Sequence, residues 1–280
     1  MKIKAYAKVN LCLNVKERLP DGYHELNMIM APIDLFDTID LSFDVETSIM
    51  ANRVYLPNDE RNTIIKAING LRAIYGFNDH FKIKLNKNIP SQAGLGGGSA
   101  DAAAVIRTLN ALLELNMSLD EMMAFGKTIG ADVPYCIVNK PAYVSGIGDK
   151  VEPFDFICPF FIFLVKPKRG VSTKRAFEQL DYDKLLHPNA LLLKEMLIAC
   201  DYQGILANMA NDLENSAFTL VPEIKKIKEE LLAFGFDHAL MSGSGSTVIG
   251  ITQSSTIVDK AVMAFHRRYP FVKKAKIVDI

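Results

Sequence analysis

A two-domain α+β chain is what this sequence predicts, on three observations. It opens with strand-like alternation, apolar residues standing at 5, 7, 9, 11, 13 and 15. At its centre a strand, a glycine-rich loop and an alanine-rich helix follow one another over 81–115. Past 155 the pattern restarts with a very apolar strand, and strands then alternate with helices to the end. The expected domains are therefore 1–155 and 156–280.

In the opening strand the second face carries Tyr6, Lys8, Asn10, Cys12 and Asn14. A lysine and an asparagine two apart can address one ligand, but a strand lysine can equally serve solubility. Pro20-Asp21-Gly22 is a turn signal that delivers Tyr23 and His24 to a strand over 27–35. A flat aromatic beside an imidazole can stack on and hydrogen-bond to a ring-shaped ligand, or the pair can simply open the strand. Strand and turn continue over 40–56, then a polar helix start at 58–62. Ile64, Ile65, Ile68, Leu71 and Ile74 give the next segment helical spacing, and Gly76 ends it.

Strand 81–87 alternates again and leads into Pro90-Ser91-Gln92-Ala93-Gly94-Leu95-Gly96-Gly97-Gly98-Ser99-Ala100-Asp101. Glycines let backbone N–H groups approach an anion closely, and the helix that follows adds free N–H groups and the positive end of its dipole. The pattern is a phosphate cradle, although a tight turn at a helix start would use the same residues. It is not a Walker loop, because no lysine occurs between Pro90 and Arg107, and Ser99 stands where a dinucleotide fingerprint needs its third glycine.

Val105, Ile106, Leu109, Leu112 and Leu113 give the helix over 99–115 its spacing, and a shorter helix over 119–128 starts at Ser118. In Gly130-Ala131-Asp132-Val133-Pro134 the carboxylate sits between a glycine turn and a proline, in a defined non-helical pose, as a helix cap or as a base. Residues 142–150 read as a hairpin built on glycines, and 160–165 as a buried strand. Ser172 and Thr173 cap a helix through Leu180, and helical segments follow to Gly235, the clearest over 222–234. Strand 237–241, the Ser242-Gly243-Ser244-Gly245-Ser246 loop, strand 247–251, a helix over 257–269 and a strand over 272–280 complete the chain. Two glycine-serine loops in separate halves suggest a ligand cleft between the domains.

Composition narrows the function classes. Lys+Arg and Asp+Glu are both 32 in 280 residues, so no global basic field is available for nucleic acid or an anionic membrane. Cys12, Cys136, Cys158 and Cys200 lack zinc or dithiol spacing and read as idle thiols of a reducing cytoplasm. The first residues enter a strand directly, with no signal-peptide pattern, and the most apolar run is too short to span a bilayer.

Three separated segments together resemble the GHMP kinases, which phosphorylate small metabolites with ATP: Ala7-Lys8-Val9-Asn10-Leu11, the loop from Pro90, and Met241-Ser242-Gly243-Ser244-Gly245. Asp21 to Leu26, Gly130 to Pro134 and Asn211-Asp212-Leu213-Glu214 look like one branch of that family, whose substrate is a cytidine diphosphate ester of a small branched polyol used in isoprenoid synthesis. The resemblance spans essentially the whole chain. It implies a first domain resembling the second domain of ribosomal protein S5, a ferredoxin-like second domain and a cleft between them.

The resemblance also implies roles. Asp132 takes the proton of the substrate hydroxyl, and Lys8 is its partner and offsets developing charge. The residues Pro90, Ser91, Gln92, Ala93, Gly94, Leu95, Gly96, Gly97, Gly98, Ser99 and Ala100 wrap the ATP phosphates, with Ser99 the candidate for a Mg²⁺ contact. Asn62 and Lys87 match positions near the adenine. Tyr23 and Phe177 match a pair that sandwiches cytosine, His24 hydrogen-bonds its edge, and Asn10, Thr173, Gly243 and Ser244 lie close to the substrate. The implied partner is a small molecule, with neither nucleic acid nor membrane, for a cytoplasmic monomer or homodimer. The alternatives are a kinase of this family acting on a substrate without a base, and a non-catalytic nucleotide-binding relative. The set Tyr23, His24 and Phe177 speaks against the first, and intact Lys8 and Asp132 against the second. The chain departs from the family at Ser246, where proline is common, at Ala100, where a second serine is frequent, and at Tyr135-Cys136, where two aromatics are usual.

Overall fold

The computed structural model describes residues 1–278. Ten strands and ten α-helices follow the mixed order expected. They are β1 (Lys2–Arg18), β2 (His24–Asp44), β3 (Ser48–Ala51), α1 (Thr63–Tyr75), β4 (His80–Asn86), α2 (Gly97–Leu112), α3 (Leu119–Ile129) and α4 (Val133–Val138). Then come β5 (Ala142–Gly146), β6 (Lys150–Pro153), β7 (Phe161–Lys166), α5 (Thr173–Glu178), α6 (Ala190–Ile198), α7 (Tyr202–Asn208), α8 (Glu214–Leu220), α9 (Glu223–Phe234), β8 (His238–Met241), β9 (Val248–Thr252), α10 (Ser255–Phe265) and β10 (Phe271–Ala275). Among the described residues no helix is long and apolar enough to cross a membrane.

The chain forms two compact units that interleave along the sequence. One comprises Met1–Ala7, Leu35–Ile89 and Gly96–Asn139; the other comprises Lys8–Asp34, Pro90–Leu95 and the residues from Lys140 onward. In the first, the end of β2 runs antiparallel to β4, with Leu41 opposite Ile83, and β3 runs parallel to β4, with Ile49 opposite Ile83. Alternation puts Phe81, Ile83 and Leu85 on the buried side of β4 while His80, Lys82, Lys84 and Asn86 face water. The apolar stripe of α1, through Ile64, Ile68 and Leu71, is fully buried, and α1 packs on α2. The left-handed Gly76 closes α1, while Ser118 and Glu121 form a reciprocal capping box at the start of α3.

In the second unit the beginning of β2 pairs with β5, which forms a hairpin with β6. A separate antiparallel sheet has the order β10-β7-β9-β8. The run at β7 is apolar throughout because Ile162 to Val165 are all buried, and α9 and α10 pack on this sheet. Phe163 stacks on Phe236 at 5.3 Å and meets Phe265 edge-on at 5.7 Å, forming the aromatic centre of that core.

Several boundaries differ from the sequence reading. β2 is one long strand through Asp44, because alternation continues past Leu35 as Leu41 and Ile39 stay buried. Helix α2 starts at Gly97, two residues early, since small residues offer no obstacle to the first turn. The pose of Asp132 is not extended: its φ of −84° and ψ of −6° are helical, and it leads directly into α4 with Pro134 in the first turn, where the missing N–H costs nothing. The last strand ends at Ala275; Asp279 and Ile280 of the expected strand lie outside the described residues.

His238, at the start of β8, is held neutral by burial and by the nearby charge of Lys228, which lower its pKa to about 4. Its unfolded value is higher, so the unfolded chain binds the extra proton first as pH falls. The contribution is complete above pH ~6.5 and is lost toward pH ~4, at a cost of about 3 kcal/mol. Urea unfolding at pH 7 and pH 4.5 should show that His238→Gln loses less stability on acidification than the wild type; equal losses would sink this assignment.

Candidate active site

The second unit contains a hydrogen-bonded knot made by all three separated motifs. The Lys8 N–H donates to the Leu95 carbonyl at 3.1 Å. The Asn10 N–H donates to Ser242 Oγ at 3.1 Å, and that hydroxyl donates to the Gly94 carbonyl at 3.0 Å. On the same side, the Ser246 and Thr247 N–H groups donate to the Gln92 and Ala93 carbonyls at 3.3 and 3.2 Å. The two glycine-bearing loops therefore touch backbone to backbone.

This contact dictates the glycines. Gly94 has φ of +72°, and a Cβ there would lie 1.9 Å from the Ser242 carbonyl oxygen. Gly243, at φ of +55°, would place a Cβ 3.1 Å from the Gly94 carbonyl and 3.2 Å from Asn10 Oδ1. Asn211 supports the second loop from beneath, donating through Nδ2 to the carbonyls of Met241 and Gly243 at 2.7 and 2.8 Å. Glu214 accepts from the Met241 N–H at 2.8 Å and pairs with Lys228. These supports explain the Asn211-Asp212-Leu213-Glu214 segment, which sequence resemblance singled out without a mechanical role.

Within the knot the side chains carry chemistry. Lys8 is 3 % exposed, so it is not a solubilising surface lysine, and its ammonium donates to Asn10 Oδ1 at 2.6 Å. Thr173 and Ser244 are brought together by a hydroxyl contact of 2.8 Å. His24 stacks on Phe177 at 4.7 Å, while Tyr23 is exposed. Burial, assisted by the charge of Arg18, lowers the pKa of His24.

The first unit supplies the helix that follows the loop. Gly96 is in the left-handed conformation ahead of α2, whose start has no side-chain cap and no acidic residue in the first turn. By contrast α1, α3, α6, α7 and α10 each cap themselves with Asn62, Ser118, Asn189, Asp201 or Ser254. The first N–H groups of α2, from Gly97, Gly98 and Ser99, thus meet no capping side chain. Thr63 Oγ1 fixes the turn by donating to the Gly98 carbonyl at 2.8 Å. Asp132 is half-buried at the start of α4, on which Arg107 of α2 donates to the carbonyls of Cys136 and Ile137.

Two expected adenine contacts have other partners. Asn62 caps α1, accepting from the Ile64 N–H at 3.0 Å and donating to the Pro57 carbonyl at 2.8 Å. The Lys87 ammonium is buried against Asp37 and against Asp101, 2.6 Å away. Burial disfavours its charge, but Asp101 and Asp37 outweigh burial and raise its pKa. Burial, together with the like charge of Asp37, pushes Asp101 up to about 8 against the pull of Lys87. Sequence reading missed both carboxylates; the available signal was an acid within apolar runs, in Leu35-Phe36-Asp37 and in the alanine-rich start of α2.

The fold and this arrangement define the class. Residues 62–140 match the GHMP kinases N terminal domain, and residues 193–270 match the GHMP kinases C terminal domain. The chain belongs to the GHMP kinases, a family of small-molecule kinases.

More particularly, it is 40 % identical over 253 residues to the 4-diphosphocytidyl-2-C-methyl-D-erythritol kinase of Geobacillus sp. (strain WCH70), covering 90 % of this chain and 88 % of that one. A protein of the same name from Clostridium beijerinckii is 42 % identical over 253 residues, 90 % of each chain. A crystal structure of 4-(cytidine 5'-diphospho)-2C-methyl-D-erythritol kinase superposes with a TM-score of 0.82 at 30 % identity, covering 98 % of this chain and 99 % of the other.

Gly94→Ala should break the knot, because neither the positive φ nor the 1.9 Å approach admits a methyl group. We expect a loss of at least ~2 kcal/mol in urea unfolding and at least ~10-fold weaker ATP binding by titration calorimetry. Wild-type values for both would show that the two loops do not meet this closely.

Proposed function

We propose that this protein transfers the γ-phosphoryl group of ATP to the 2-hydroxyl of 4-diphosphocytidyl-2-C-methyl-D-erythritol, giving the 2-phosphate and ADP, in isoprenoid precursor synthesis. The observation that carries the phosphate half of this reading is the uncapped start of α2 behind a glycine loop whose carbonyls are already engaged. An anion there meets unsatisfied N–H donors and the positive end of a helix of 16 residues. The acceptor is inferred from the names of the relatives and from an aromatic and imidazole set suited to a pyrimidine.

Phosphoryl transfer asks a protein for positioning and charge stabilisation more than for covalent chemistry. The half-buried Asp132 takes the proton of the attacking hydroxyl. Lys8, oriented by Asn10 at 2.6 Å, supplies fixed positive charge. Pro90 to Ala100 hold the phosphates, with Asn62 and Lys87 near the adenine through the backbone they fix. Tyr23, His24 and Phe177 read the cytosine, and Asn10, Thr173, Gly243 and Ser244 line the polyol.

Among the described residues no group of three or more His, Cys, Asp or Glu side chains could hold a metal ion. Magnesium keeps its waters and leans on substrate phosphates, and the Ser99 hydroxyl at the start of α2 would be its protein contact. When bound, the ion supplies charge neutralisation at the β- and γ-phosphates. The division at 155/156 is our proposed domain boundary; it falls between the end of β6 at Pro153 and the start of β7 at Phe161. We assign the protein to the cytoplasm, as a monomer or homodimer.

The test is coupled ADP release with ATP and magnesium, comparing the diphosphocytidyl compound with mevalonate, homoserine and no acceptor. Turnover should depend on the diphosphocytidyl compound alone; turnover only with another acceptor would discard the cytosine assignment. Asp132→Asn should lower kcat by at least ~10²-fold while ATP still binds, the usual scale for a positioned base. An unchanged kcat would remove Asp132 from the chemistry. Tyr23→Ala should raise KM for the diphosphocytidyl acceptor far more than KM for ATP, and equal effects on the two would sink its role.

A further inference from the structure

His24 is clamped on two sides. One face of its imidazole stacks on Phe177, with centroids 4.7 Å apart and planes 24° from parallel. Its Nε2 lies 2.9 Å from the hydroxyl of Tyr182, whose ring is 6.4 Å away and 21° from parallel to the imidazole. The stack fixes the tilt of the ring and the hydroxyl fixes its roll. Nδ1 makes no hydrogen bond among the described residues, so that edge of the imidazole is left for a ligand.

Tyr182 is itself held by a braced turn. It opens the short 3-10 turn Tyr182–Lys184, at whose start Asp181 accepts from the Asp183 N–H. The carbonyl of Lys184 accepts from Asn215 Nδ2 at 3.2 Å. The N–H groups of Leu186 and His187 donate to Asp212 Oδ1 at 2.8 and 3.1 Å, and the other oxygen of that carboxylate accepts from the Val15 N–H at 2.8 Å. Asp212 is 3 % exposed, so the anchor is rigid. The segment Asn211-Asp212-Leu213-Glu214 thus braces the Tyr182 turn through Asp212 and the Ser242–Gly243 loop through Asn211.

We infer that Tyr182 is a positioning and specificity residue for the pyrimidine of the substrate: its phenolic hydroxyl, a stronger donor than an imidazole N–H, donates to Nε2 of His24, leaves the ring proton on Nδ1 and aims that N–H at the hydrogen-bonding edge of the base. The inference rests on the proposed cytidyl substrate. A neutral imidazole offers one donor and one acceptor, and the bond made by one nitrogen decides what the other presents. Cytosine and uracil differ at this edge: an amino donor beside a ring acceptor in one, a carbonyl acceptor beside an N–H donor in the other. A fixed tautomer favours one of the two, while an imidazole free to rotate or change tautomer fits both. Tyr182 acts through His24 and does not itself touch the reacting atoms.

The experiment uses the full chain and Tyr182→Phe, which keeps the ring and removes only the hydroxyl. Tyr182 is 44 % exposed, so folding should be unaffected, as a thermal melt will verify. With 4-diphosphocytidyl-2-C-methyl-D-erythritol as acceptor, KM should rise about 5- to 10-fold with kcat and the ATP KM within about 2-fold. Preference for the cytidyl over the uridyl analogue should shrink by a similar factor. On a His24→Ala background, Tyr182→Phe should add nothing, since its effect runs through the imidazole. An unchanged KM, or a full additional loss on that background, would overturn the inference.

A second readout needs no substrate. The imidazole ¹⁵N shifts of His24 in the free protein should report one dominant tautomer in the wild type and a mixture in Tyr182→Phe. Identical patterns would also overturn the inference. A wild type that does not turn over the cytidyl compound would count against the proposed reaction, and the ¹⁵N comparison would still decide whether Tyr182 controls His24.

Discussion

The close approach of Gly94 to Ser242 is the constraint on which the candidate site depends. A carbonyl oxygen stands where any side chain at position 94 would begin, 1.9 Å from the would-be Cβ. The approach lets one hydroxyl, Ser242 Oγ, bridge the Asn10 N–H of β1 to the Gly94 carbonyl. Three stretches more than 80 residues apart in sequence are thereby fixed to one another by hydrogen bonds to backbone groups rather than by apolar packing. Backbone bonds are short and directional, so each loop limits the conformations open to the other. Asn211 and Glu214 extend the same logic by tying down the far side of the second loop.

The carbonyls of Gln92 to Leu95 all face inward on such bonds, and the helix that follows begins without a side-chain cap. Among the described residues five other helices satisfy their first turn with a side chain, whereas α2, like the short helices α4 and α5, has neither a cap nor an acid there, and it alone begins on glycines. Gly97 also has a packing reason: its Cβ would lie 3.0 Å from Ile89 and 3.2 Å from Lys87 Nζ. The absence of a side chain at Gly97 therefore lets this helix start close over the buried Lys87 cluster.

Much of this was legible in the sequence. Period-two alternation gave β1 and β4, a continuous apolar run gave β7, and the apolar stripe gave α1 and α9, because local pattern and tertiary burial agree there. The glycine loop announced a close backbone approach, which Gly94 makes to the Ser242 carbonyl. What the sequence hid depended on long-range partners. Lys8 reads as a surface lysine unless Asn10 and Leu95 are known to enclose it. Asp132 reads as extended before proline, but α4 accepts Pro134 in its first turn and draws Asp132 into a helical pose. Lys87 matches an adenine-side position, yet its ammonium is spent on Asp37 and Asp101, which are 50 and 14 residues away. No local pattern reports such a pairing.

The buried Asp37, Lys87 and Asp101 cluster also shows why a costly arrangement can persist. An ammonium with a carboxylate and a second acid pushed up to about 8, all out of water, rarely stabilises a fold more than an apolar cluster of equal volume would. Their directional bonds do what apolar groups cannot. Asp37 Oδ1 accepts from the Ile89 N–H at 2.8 Å as well as from the Asn88 N–H, so it fixes the chain just before Pro90. Its other oxygen meets Lys87, and Lys87 in turn meets Asp101 in α2. The cluster joins the strand that enters the glycine loop to the helix that leaves it. An apolar core at this place would hold the same elements together but leave them free to slide by a fraction of an ångström. These paired charges fix Ile89 and α2 in register on either side of the loop, and a backbone of glycines needs that support because glycine contributes none of its own.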